Sequence, residues 1–91
     1  MDAAAFAGLL TAVRQQTFDD GKLSVIRQAA KANWFTAQQL ISTVDVLKFS
    51  TEKLDAAVAM WPHLVDRENA HLVLAKFSSS DQGALRKRVG E

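Results

Sequence analysis

Along the chain an apolar residue, a small polar residue and then a further apolar residue recur at fixed spacing. Phe18-Asp19 leads to Leu23, Phe35-Thr36 to Leu40, Phe49-Ser50 to Leu54 and Val65-Asp66 to Ala70. A side-chain oxygen placed before an apolar helical stripe is the signature of an N-cap, and the flanking apolar pair is that of a hydrophobic staple. Thr36 with Gln39 also has capping-box spacing. Phe77-Ser78 is a weaker fifth start, because Gln82 stands where the staple needs an apolar partner.

These starts, with a first helix beginning near Asp2, predict about six short helices, each roughly 10 to 15 residues and dependent on tertiary packing. Apolar residues recur at helical spacings of three, four and seven in the first five. The stripes are Phe6, Leu9, Leu10 and Val13; Leu23, Ile26 and Ala30; Leu40, Ile41, Val44 and Leu47. They continue as Leu54, Ala57, Val58 and Trp61, then Ala70, Val73, Leu74 and Phe77. Pro62 should stop the fourth helix and leave His63-Leu64 as linker. Acids in first turns (Asp20, Glu52, Glu68) and bases in last turns (Lys31, Lys48, Lys76) would complement the helix dipoles.

Phe18-Asp-Asp-Gly-Lys-Leu23 parallels Phe49-Ser-Thr-Glu-Lys-Leu54. Each is followed by a helix, a short linker and another stapled helix, giving two similar helix-pair units of about 30 residues. The fold expected is all-α: a compact bundle or a short helical-repeat array, forming a single helical domain over residues 1–91. Met1 is read either as a native start or as a boundary inside a larger protein.

The motifs Phe18-Asp19-x-x-Lys22-Leu23, Asn33-x-Phe35-Thr36-x-x-Gln39, Phe49-x-x-x-Lys53-Leu54, Val65-Asp66-x-x-Asn69 and Phe77 resemble those of domain-of-unknown-function family 4476. The resemblance covers nearly the whole chain. Leu47 replaces an aromatic two positions before Phe49, and Asp81-Gln82 replaces a Lys-Leu pair after Phe77. What the resemblance implies is an all-helical domain with no assigned activity. The shared residues are those already read as caps, staples and core.

Composition narrows the classes. The chain has 91 residues, 48% hydrophobic and 23% charged, with a net charge of +1, which describes an ordinary soluble globule. Fifteen alanines reinforce the helical reading. The absence of cysteine excludes a disulfide scaffold, a thiolate zinc site and a cysteine nucleophile. Asp2 stands where a signal peptide would carry positive charge, and no segment suggests membrane insertion.

Candidate chemistry is sparse. Neither His63 nor His71 has a metal-binding motif around it. Either could support a small enzyme only by meeting a carboxylate. Asp19-Asp20-Gly21 lacks the ligand alternation of a calcium loop, and capping explains those acids, with Asp55, Asp66 and Glu68, more simply. No metal or cofactor is expected. Ser78-Ser79-Ser80 reads as a cap with two spare hydroxyls, and phosphate there would favour the helix N-terminus. Arg86-Lys87-Arg88 is a solvated basic last turn or a weak nucleic-acid contact, the latter disfavoured by the low net charge. Trp61 belongs to the core. Trp34, beside the staple residue Phe35, either covers the junction of the second and third helices or anchors an interface. The function expected is a non-catalytic protein-interaction or structural module with an unidentified protein partner. Its candidate surface is Trp34, Arg86, Lys87 and Arg88.

Overall fold

In the computed structural model, which describes residues 1–90, α1 spans Ala3–Arg14 and begins where Asp2 accepts the Ala5 amide at 2.8 Å. It is followed by α2 (Asp19–Ala30), α3 (Ala37–Val44), α4 (Ser50–Met60), α5 (Ala70–Leu74) and α6 (Ser79–Val89). The fold is all-α, with no strands among the described residues. Pro62 stops α4 at Met60, and the chain tightens into a 3-10 turn over Trp61–His63. A second 3-10 turn, Arg67–Asn69, leads into α5.

Helix α4 is the hub, packed against α2, α3 and α6, while α1 lies on α2 and α5 on α3. This position explains its buried face. Ala56, Ala57 and Met60 are buried, whereas Leu54 and Val58 of the expected stripe are only half-buried. Small side chains let neighbouring helix axes approach on more than one side of α4. The α2 and α3 stripes follow the sequence more closely, with Leu23, Ile26, Ala30, Leu40, Ile41 and Val44 buried, whereas α1 buries Leu9 and Val13 but leaves Phe6 and Leu10 half-buried, and of the α5 stripe only Val73 is buried. Leu47 is buried too, but it lies beyond the end of α3, and Trp61 is 3% exposed. The Cα radius of gyration is 12.0 Å, close to the value of about 12 Å expected for a compact chain of this length.

The capping devices divide into two kinds. At α3 the expected box is complete: Thr36 accepts the Gln39 amide at 3.1 Å, and Gln39 Oε1 accepts the Thr36 amide at 3.0 Å. Phe35 precedes that cap and staples to the fourth helical residue, Leu40, both fully buried. At α6, Ser78 accepts the Asp81 amide, and Gln82 donates back to the Phe77 carbonyl in place of an apolar staple.

Helices α2 and α4 start differently. Asp19 and Ser50 are already helical, so Phe18 and Phe49 become the capping residues and neither helix has a side-chain cap. The one-residue shift puts Lys22 and Lys53 at the fourth helical position, where a staple needs an apolar group. The expected staples from Phe18 and Phe49 are therefore not formed. Both rings stand in solvent, 76% and 64% exposed.

The buried carboxylate of Asp19 instead crosses to the approach of α4, where Oδ2 accepts the amides of Lys48 (3.1 Å) and Phe49 (3.2 Å). Asp66 does the same for α3, its Oδ1 accepting the Ala37 amide at 2.7 Å while Oδ2 holds Asn69 Nδ2 at 3.1 Å. Two acids expected to cap their own helices thus clasp helices about thirty positions away. The Phe35 amide donates to His63 O, and the Val65 amide to Phe35 O, forming a single parallel bridge between Phe35 and Leu64. Leu64 is consequently core rather than free linker. Lys48 and Lys76 fall outside the helices whose ends they were expected to complement, and Lys76 pairs with Asp45 at 3.8 Å.

Candidate functional site

The large apolar side chains left outside the core sit where helices begin. Phe18 and Phe49 flank the Asp19 clasp at the adjoining starts of α2 and α4. Trp34 and Val65, 56% and 58% exposed, flank the Phe35–Leu64 bridge. Leu72 of α5 is a further exposed apolar residue.

Trp34 is held rather than loose. Its carbonyl accepts a hydrogen bond from the Met1 ammonium, and the Met1 carbonyl accepts Gln39 Nε2 at 2.6 Å. Its ring meets that of His63 edge-on, with centroids 5.3 Å apart and planes inclined at 62°. The half-buried His63 therefore serves one side of Trp34 as a packing surface. Exposed His71 has Nδ1 3.1 Å from the Glu68 carbonyl. Among the described residues no ion pair joins either ring to a carboxylate, and no group of three or more His, Asp or Glu side chains converges in a metal-binding arrangement.

The basic turn closes α6. Gly90, at φ 83°, terminates the helix in the left-handed region and takes up the last carbonyls through its amide. Arg88 donates to Asp55 at 2.8 Å, fastening α6 across the second turn of α4. Arg86 and Lys87 are exposed on the same turn. The candidate residues are thus tied to different elements: Trp34 to Met1 and His63, and the basic turn to α4. Ser78, Ser79 and Ser80 are all exposed. A shallow open groove of about 450 Å³ runs between α1 and α2, lined by Leu9, Ser24, Val25, Gln28 and Ala29.

Phe18 and Phe49 were not singled out by sequence reasoning as surface residues. Leu23 and Leu54 stand at staple spacing from the two phenylalanines, as Leu40 does from Phe35, so the sequence carried no signal of the shifted helix starts that leave both rings outside.

The family model for the domain of unknown function DUF4476 matches residues 1–89, and the chain belongs to that family. No curated protein and no solved structure matches it.

Proposed function

We propose that this domain is a non-catalytic protein-interaction module that presents aromatic side chains from the starts of its helices. The observation that carries the reading is the exposure of Phe18 and Phe49 at two adjoining helix starts, with Trp34 displayed at a third. Exposed aromatics fixed on a rigid frame lose little conformational entropy on binding and are favoured interface anchors. The polar groups near them have structural tasks: Asp19 and Asp66 clasp distant helix starts, and Arg88 is paired with Asp55. The 1–91 chain is read as a single domain of two similar helix-pair units. The two clasps support this division, since they join residues 29 or 30 positions apart, close to the period of the sequence motif.

The reading is tested by quantitative capture from a native lysate with the wild-type chain, Trp34→Ser, and the double variant Phe18→Ser/Phe49→Ser. Partners retained by the wild type should be lost from at least one variant that unfolds at the wild-type denaturant concentration. Indistinguishable capture by all three would refute it.

A further inference from the structure

Helix α1 packs on one side against α2 and turns its other side to solvent. That outer side is uncharged. From Ala3 to Val13 the chain holds no ionisable residue, and Asp2 and Arg14 stand at the two ends. Exposed Ala4, Ala7, Gly8 and Thr11 share one helix face by their spacing. The Thr11 hydroxyl donates to the Ala7 carbonyl at 3.0 Å, so the face presents no unmet donor. Alongside runs the open groove of about 450 Å³, walled by Leu9 of α1 and by Ser24, Val25, Gln28 and Ala29 of α2. Helix α1 is thus both a ridge and one wall of a groove, the combination that a self-complementary two-fold contact needs.

The charges at its ends select the occupant. Asp2 and Arg14 are exposed, and neither joins an ion pair among the described residues. One Asp2 oxygen takes the Ala5 amide, and the neighbouring Met1 ammonium is engaged by the Trp34 carbonyl. Helical rise sets the two charges about 18 Å apart, with Gly8 midway between them. A Cβ at Gly8 meets nothing within 4 Å, so packing within one chain gives no reason for a glycine there. A two-fold axis at Gly8 sets Asp2 of each copy against Arg14 of the other. It also runs the two helix dipoles antiparallel, and the missing side chain lets the axes approach closely.

We infer that the outer face of α1 and the adjoining groove bind a second copy of this chain, with the two α1 helices antiparallel about Gly8. The contact uses none of Phe18, Trp34 and Phe49 and is separate from the interaction reading above. An unrelated helix is the poorer occupant, because only the chain's own copy supplies both charge pairs at the matching spacing. A lipid surface is poorer too, since helices that lie in a membrane interface present bulky apolar side chains and a basic polar face. The patch is small, so the dimer is a weak, exchanging one.

Sedimentation equilibrium of the full chain between about 10 μM and about 1 mM tests this. The wild type should rise from the monomer mass toward twice that value. Gly8→Glu sets a carboxylate against its own copy while occupying open space in the monomer, and should weaken association at least about tenfold. Asp2→Arg and Arg14→Asp should each weaken it, and their equimolar mixture should restore it, because every end charge again meets its opposite. Urea unfolding checks that each variant is folded; should Asp2→Arg fail through loss of its cap, Gly8→Glu and Arg14→Asp decide. A wild type that stays monomeric at about 1 mM, or a mixture of folded variants no stronger than either alone, overturns the inference. So does association unaltered in Gly8→Glu, including association lost instead from Phe18→Ser/Phe49→Ser.

Discussion

Asp19, the first residue of α2, accepts the backbone amide of Phe49 at 3.2 Å, thirty positions along the chain. The same oxygen accepts the Lys48 amide, so one buried carboxylate fixes the approach to α4. Hydrogen bonds to a charged acceptor are stronger than neutral ones, and removing the acceptor leaves two amides without their partner. Asp19→Ala should cost about 1–3 kcal/mol in urea unfolding. Its exposed neighbour sets the control: Asp20→Ala should stay within about 0.5 kcal/mol of wild type. Equal losses at the two positions would mean that the clasp contributes nothing specific.

The helix starts make a second comparison. Thr36 caps α3 in a reciprocal box, whereas Ser50 is already inside α4 and makes no cap bond. Thr36→Ala should therefore destabilise by about 1 kcal/mol, and Ser50→Ala by no more than about 0.5 kcal/mol. Thermal unfolding of the two variants separates these expectations.

Three phenylalanines that look alike in sequence should behave differently. Phe35 is fully buried, and Phe35→Ala should cost about 3–5 kcal/mol. Phe18→Ser and Phe49→Ser remove exposed rings and should each shift stability by no more than about 0.5 kcal/mol. A large loss at either exposed position, measured by denaturant titration, would place that ring in the core.

Glycines supply a prediction of opposite signs. Gly83 is inside α6, and a Cβ there meets nothing within 4 Å. Gly83→Ala should stabilise by about 0.5–1 kcal/mol, because alanine loses less backbone entropy in a helix. Gly90 holds φ at 83°, so Gly90→Ala should destabilise by roughly 1 kcal/mol. Melting temperatures of both variants check the pair.

The two tryptophans should be distinguishable in solution. Trp34 is 56% exposed and Trp61 only 3%. Acrylamide should quench one emitting population readily and the other poorly. Trp34→Phe should abolish the readily quenched component, and a single accessible population remaining in that variant would contradict the burial of Trp61.

Much of the fold was legible because the signals were local. Helical periodicity, the Thr36–Gln39 box, the Ser78 cap and the stop at Pro62 each depend on residues within a few positions of one another. The clasps were not legible. An aspartate at a helix start accepts amides from its own helix or from another with equal chemical aptitude, and only tertiary structure decides between them. Asp19 and Asp66 both resolved the choice at long range, and at α2 that choice moved the helix start by one residue and the preceding ring from core to solvent. The shortness of α5 has a related cause. The bond from Asp66 to Ala37 and the 3-10 turn that follows it occupy residues expected to form its first turn. Of the candidate surface, the exposure of Trp34 was anticipated as one of two alternatives, while the Arg88–Asp55 pair required the crossing of α6 over α4.

The most direct measurement is partner capture by Phe18→Ser/Phe49→Ser set beside its urea unfolding curve. An unchanged unfolding midpoint with capture reduced at least about tenfold is the expected result. Wild-type capture by a variant that folds normally would contradict the claim that these displayed aromatic side chains form the binding surface.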